Sequence, residues 1–80
     1  MNLALTLEKA GKVDEALSTY ATALEVYPDH LPTMQAMARL QLRSGKVDPT
    51  TRFMLEQISL RGENDRWRDW ARMQAIKLEK

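Results

Sequence analysis

The chain contains no cysteine, and it has only three glycines, three prolines and five aromatic residues among its 80 residues. Without cysteine, neither a disulfide nor a thiolate metal site can form, and the redox state of the compartment is not indicated. No stretch approaches the roughly 20 apolar residues of a membrane span, and no signal peptide precedes the first helical segment. These absences favour a cytoplasmic location without determining it.

The composition that remains is typical of a water-soluble helical domain. Hydrophobic residues make up 44% of the chain and charged residues 29%, a balance that excludes the disordered class. The net charge of +1 is unevenly divided, because residues 1–30 carry −3 and residues 31–80 carry +4. The near-neutral total and the interleaved acids argue against a nucleic-acid partner, and the absence of a span argues against a membrane one.

An internal repeat is the most informative feature of the chain. The tetrapeptide Gly-Lys-Val-Asp occurs at residues 11–14 and again at 45–48, a separation of 34 residues. A repeat of this length predicts a two-helix unit that buries its apolar face against its neighbours. The same shift places large residues on large ones and small on small: Leu3 on Met37, Ala4 on Ala38, Ala16 on Thr50, Tyr20 on Met54, Leu24 on Ile58 and Val26 on Leu60.

Residues 2–30 resemble a tetratricopeptide repeat (TPR). The resemblance is carried by Asn2, Leu3, Ala4, Leu7, Gly11, Asp14, Glu15, Ala16, Leu17, Tyr20, Ala23, Leu24 and Pro28. Residues 31–63 match more loosely, because Thr50 and Gln57 replace the two alanines that the family carries on its second helix. The resemblance implies a protein-interaction module, since arrays of such repeats hold partner molecules.

Residues 64–80 resemble another first helix, and no second helix follows it. Trp67, Trp70 and Ala71 repeat the order of bulky, large and small residues found at 34, 37 and 38, at a spacing of 33 residues. Together, the resemblances imply one all-α domain over residues 1–80, an α-solenoid of two TPR helix-turn-helix repeats plus a C-terminal capping helix. Repeat 1 spans 1–30 with a shortened first helix, repeat 2 spans 31–63, and the capping helix spans 64–80.

Five helices are predicted from the stop and start signals. The first ends at Gly11, and the second begins with Asp14 as its cap and ends before Pro28. The third begins around Pro32 and ends before Gly45, and the fourth begins with Asp48 as cap and a proline at its first position. The fifth is predicted to start with Asn64 or Asp65 as cap.

The chain offers little for catalysis, and no enzymatic activity, cofactor or metal is expected. His30 is the single histidine, and with no second histidine or cysteine it lacks a ligand set. The adjacent acids Asp14 and Glu15 fit the first turn of a helix, where they complement the helix dipole. Trp67 and Trp70, which a ligand cage might use, are expected to be core residues buried on the fourth helix.

A groove is the predicted binding site, because the first helices of TPR arrays line a concave surface that holds partner peptides. The positions that the resemblance assigns to it are Leu5, Glu8, Lys9, Gln35, Arg39, Leu42, Arg43, Arg68, Arg72 and Ile76. The arginines form two i,i+4 pairs, each on one helix face, and guanidinium groups favour carboxylates. The partner is therefore expected to be a protein or peptide, with acidic character. Alternatively, this is a solvated face whose arginines pair with local acids such as Asp69.

Two further interpretations concern the ends of the chain. The first helix is about one turn short, so its apolar residues should be poorly covered unless another molecule packs there. This favours either self-assembly as a homo-oligomer through the N-terminal edge, or a chain that is part of a larger TPR-containing protein.

Overall fold

A computed structural model describes residues 2–78, which form five α-helices and no strand. The all-α prediction is confirmed. The helices are α1 (Asn2–Lys9), α2 (Val13–Val26), α3 (Leu31–Ser44), α4 (Pro49–Arg61) and α5 (Asp65–Leu78).

Three of the predicted helix signals act as expected. Gly45 ends α3 in the left-handed conformation, with φ of 76°, which costs a glycine little. Asp48 caps α4: its carboxylate accepts from the Thr51 backbone N–H at 3.1 Å, and the Thr51 hydroxyl accepts from the Asp48 backbone N–H at 3.2 Å. Asn64 accepts from the Trp67 backbone N–H at 3.0 Å, and this bond selects Asn64 over Asp65 as the cap of α5.

The predicted cap of α2 is wrong. The helix begins at Val13 with Lys12 in the cap position, and no side chain satisfies its first turn. The reason is the short connection: Gly11, with φ of 81°, ends α1, and the Lys12 carbonyl already accepts from the Ala16 backbone N–H at 3.0 Å. Asp14 and Glu15 therefore lie within the first turn, where the helix dipole still favours their charge.

Each helix packs against the next along the chain. The core that this arrangement encloses is built from small and medium-sized residues, with Tyr20 as its largest fully buried side chain. Its fully or nearly fully buried apolar members are Ala4, Ala16, Tyr20, Met34, Met37, Ala38, Leu40, Met54, Leu55, Ile58 and Ala71. Among residues 2–78, no helix is long and apolar enough to cross a membrane.

The 34-residue alignment agrees with burial at several positions and departs from it at others. Ala4, Ala38 and Ala71, the small residues of α1, α3 and α5, are all completely buried. Thr50, however, is exposed, although the alignment places it on the buried Ala16. The buried small residue of α4 is the neighbouring Thr51, whose hydroxyl donates to the side-chain carbonyl of Gln41 on α3.

Candidate binding face

The first helices α1, α3 and α5 carry the predicted groove residues, and the structure connects these helices in pairs. Glu8 on α1 forms ion pairs with α3, and a depression is shared between α3 and α5. Leu5, Lys9, Arg39, Arg43, Arg72 and Ile76 are exposed, Leu42 and Arg68 are partly buried, and Gln35 is buried. We call the surface formed by α1, α3 and α5 the first-helix face.

Glu8 is the centre of a polar cluster on this face. Its Oε2 atom lies 3.2 Å from Arg43 Nη2 and 3.7 Å from Arg39 Nη2, while Oε1 accepts from the Tyr20 hydroxyl at 3.3 Å. The Glu8 side chain is only 8% exposed, whereas those of Arg39 and Arg43 are 47% and 61% exposed. One carboxylate thus connects three helices and partly neutralises one of the two predicted arginine pairs.

The Tyr20 phenol belongs to the same cluster. Its burial, together with the charge of Glu8 and the hydrogen bond to it, raises the pKa of Tyr20 above the usual 10.0, and the nearby arginines reduce this effect. The phenol therefore stays protonated at neutral pH, where it donates a hydrogen bond to the carboxylate.

The second arginine pair is held by acids of its own helix. Arg68 is bonded to the Asp65 carboxylate and donates to the Gly62 carbonyl at 3.1 Å. Arg72 lies 3.6 Å from Asp69, and both of these side chains are mostly exposed. These contacts agree with the alternative of local ion pairing for this pair, while Arg72 remains accessible to solvent.

The expectation that Gln35 lines an open groove is wrong. Gln35 is 4% exposed, and its Nε2 atom points to Glu63 Oε1 at 3.4 Å, near the start of α5. Its Oε1 atom has no hydrogen-bond partner within the described residues. The side chain lies against the turn between α4 and α5, to which Glu63 belongs. Leu42 likewise packs against the core rather than standing free.

A depression of about 390 Å³ lies between α3 and α5. It is lined by Arg39, Asn64, Arg66, Trp67 and Trp70. The two indole rings meet edge to face, with their centroids 5.2 Å apart and their planes at 85°. This geometry is favourable for aromatic pairs and holds both rings in place. The depression therefore offers apolar ring surface next to two guanidinium groups.

Only Arg39 of this lining was among the predicted site residues. Trp67 and Trp70 were expected to be buried core; both pack against the core, but both are partly exposed. Asn64 was predicted only as a helix cap, and Arg66 was not among the predicted site residues. The sequence does contain a pattern that could have indicated this site. Trp67 and Trp70 are spaced i,i+3, and Arg66 and Trp70 are spaced i,i+4, so Trp67 and Arg66 both neighbour Trp70 on the helix surface.

The described part of the chain contains no group of three or more His, Cys, Asp or Glu side chains arranged to hold a metal ion. His30 lies in the exposed turn before α3, where its Nδ1 atom is 2.6 Å from the Thr33 hydroxyl.

Comparison with protein-family models, with curated proteins and with solved structures finds no significant match to this chain.

Proposed function

We propose that this chain is a protein-interaction module that holds a segment of a partner protein on its first-helix face and carries out no reaction itself. The fold in this proposal is a TPR-like α-solenoid, in which α1–α2 and α3–α4 are two repeats and α5 covers the second. The segment sits over the depression between α3 and α5 and contributes an apolar side chain and at least one carboxylate.

The order and burial of the helices support this arrangement. Helices packed in chain order, with short connections, are what a stack of helix pairs requires. Glu8 forms salt bridges from α1 to α3, and the depression has lining residues from both α3 and α5, as the proposed stack requires. The three equivalent alanines are each completely buried, as expected if α1, α3 and α5 occupy equivalent positions in successive units.

The observation that carries the proposal is the composition of the depression. Partly exposed tryptophans are enriched in interfaces because their large rigid rings make contact at low entropic cost. Arginine binds carboxylates through parallel hydrogen bonds, and both Arg39 and Arg66 are exposed at the rim. A partner segment with an apolar side chain next to an acidic residue would match both features, because the apolar side chain packs on the indoles and the carboxylate binds the guanidinium groups.

The experiment is a titration of labelled protein with defined synthetic peptides, followed by NMR. The probes are short acidic peptides, each carrying a single Leu, Phe or Trp, together with versions in which that residue is Ser or the acids are Lys. The indole N–H signals of Trp67 and Trp70 report on the depression directly. Binding should require both the acids and the apolar anchor.

A matched pair of variants separates the site from general charge attraction. Arg39→Gln with Arg66→Gln neutralises the depression, and Arg52→Gln with Arg61→Gln makes the same charge change on α4. Exposed charge contacts are worth about 0.5–1 kcal/mol each, so the first variant should lose roughly five- to thirty-fold in affinity. The second should change less than about two-fold. Equal losses in both variants, or unmoved indole signals, would contradict the proposed site.

A further inference from the structure

A second surface, distinct from the first-helix face, is an apolar groove on the other side of the N-terminal half. It has a volume of about 780 Å³ and lies along α2, between the start of α1 and the turn that leads into α3. Its apolar lining includes Leu3, Ala23, Val26 and Tyr27. We call it the α1–α2 groove.

The apolar side chains of the groove are largely exposed in the described part of the chain. Leu3, Val26 and Tyr27 are 62%, 63% and 66% exposed. The repeat alignment places Leu3 on Met37, and Met37 is only 7% exposed. The difference follows from position, because α3 lies between α2 and α4, whereas α1 has no helix on its outer side among the described residues. Clustered exposed side chains of this kind mark interaction surfaces.

The opposite end of the molecule presents a helix face with complementary properties. On α5, Met73 and Ile76 are 59% and 55% exposed, and they are flanked by Arg72 and Lys77. The face is therefore apolar along its middle, with Lys77 on one side and, on the other, Arg72 paired with Asp69 at 3.6 Å. Residues 31–80, to which it belongs, carry a net charge of +4.

Acidic side chains flank the groove. Glu25 precedes Val26 on α2, and Asp29, which lies 3.4 Å from Arg61 of the same chain, is in the turn beyond Tyr27; both acids are exposed. Residues 1–30, which contribute most of the groove, carry a net charge of −3. Apolar surface and charge are thus complementary between the two ends of one molecule.

We propose that the α1–α2 groove receives helix α5 of a second copy of this chain, so that copies associate head to tail. Met73 packs against Val26 and Tyr27, while Arg72 and Lys77 lie near the acids beside the groove. The contact is heterologous, since two different surfaces meet, and an open row of copies has a free groove at one end and a free α5 face at the other.

The association should be weak and dependent on salt. A helix laid in a groove buries on the order of 1,000 Å² in total, at the low end of specific interfaces. We expect a dissociation constant of roughly 10–500 µM, with weaker association as salt screens the flanking charges.

The experiment measures molecular mass against concentration by sedimentation and light scattering. The wild-type chain should increase in mean mass as concentration rises towards about 1 mM. Val26→Lys removes the groove, and Met73→Lys removes the α5 face, so each variant alone should stay monomeric. Mixing the two should restore association through the one intact pair of surfaces, and it should stop at a 1:1 dimer because the remaining surfaces both carry the new lysine.

The mixing result distinguishes this contact from the alternatives. A symmetric contact of groove with groove would not be restored by mixing. Leu60→Lys is the matched control, because Leu60 on α4 is 75% exposed and lies on neither surface; this variant should associate like the wild type. Tyr27→Lys replaces Val26→Lys if the latter loses helical circular dichroism. A monomeric wild type at 1 mM, a mixture that stays monomeric, or equal disruption by Leu60→Lys would overturn the proposal.

Discussion

Glu8 should contribute to stability through two separable interactions, and its substitution allows them to be measured apart. The carboxylate accepts from Tyr20 at 3.3 Å and lies 3.2 Å from Arg43 and 3.7 Å from Arg39. Glu8→Gln keeps an acceptor for the phenol and removes the charge. Glu8→Ala removes both, and it also leaves a buried hydroxyl without an acceptor.

The magnitudes follow from exposure and distance. Both arginine side chains are about half exposed, so each ion pair is worth about 0.5 kcal/mol and Glu8→Gln should cost about 1 kcal/mol. An unsatisfied buried hydroxyl costs about 1–3 kcal/mol. The Tyr20 bond is long for an O–H···O contact, so we take about 1 kcal/mol, which brings the cost of Glu8→Ala to about 2 kcal/mol.

The assay is urea unfolding followed by far-UV circular dichroism, at a concentration low enough to keep the chain monomeric. The same two substitutions are then repeated in a Tyr20→Phe background. Glu8→Ala loses the methylene contacts of Glu8 in both backgrounds, so this loss cancels. The difference in unfolding free energy between Glu8→Ala and Glu8→Gln should therefore shrink by about 1 kcal/mol when the hydroxyl is absent. An unchanged difference would show that the phenol does not depend on Glu8, and the reasoning would fail.

Three further predictions concern α5, the turn before it and the alkaline limit of stability. Trp67→Ala should cost about 2–3 kcal/mol, less than for a fully buried tryptophan, and a melting temperature within a degree or two of the parent would contradict the packing of α5. Gly62→Ala should cost about 1–2 kcal/mol in chemical unfolding, because a Cβ atom there would lie 2.6 Å from the Ile58 carbonyl oxygen. Since its pKa is raised above 10.0 in the native state, Tyr20 should contribute stability that is constant up to about pH 9 and lost as the pH rises above 10. A pH series of unfolding should show this loss, and Tyr20→Phe should remove most of it.

The helix boundaries were predictable wherever a single residue decides the local backbone. Gly45 and Asp48 act through their own conformation and side chain, so the sequence alone was enough to place the end of α3 and the start of α4. Asp14 has the same chemistry as Asp48 but lies two residues too late, because Gly11 ends α1 and the next helix begins almost at once. A cap-forming residue indicates a helix start only when the preceding connection leaves it outside the first turn.

The candidate site was less predictable because its parts come from different helices. The TPR resemblance assigns Gln35 to an open groove, and only the structure shows that it is buried, with Glu63 of the turn before α5 beside it. The depression combines Arg39 from α3 with Trp67 and Trp70 from α5, a juxtaposition that no spacing along the chain describes. The exposure of a tryptophan ring depends on which other parts of the fold cover it, and the spacing of residues along the chain does not show this.

The two arginines that meet at Glu8 are not equivalent under the proposed function. Arg43 lies at hydrogen-bonding distance from the carboxylate, so a partner that used it would have to replace an existing bond. Arg39 lies 0.5 Å further from the same oxygen atom, with 3.7 Å against 3.2 Å, and it also lines the depression beside the tryptophans. A partner carboxylate therefore displaces less at Arg39 than at Arg43. Glu8, only 8% exposed, holds Arg43 in place and leaves Arg39 as the guanidinium that an acidic segment reaches first.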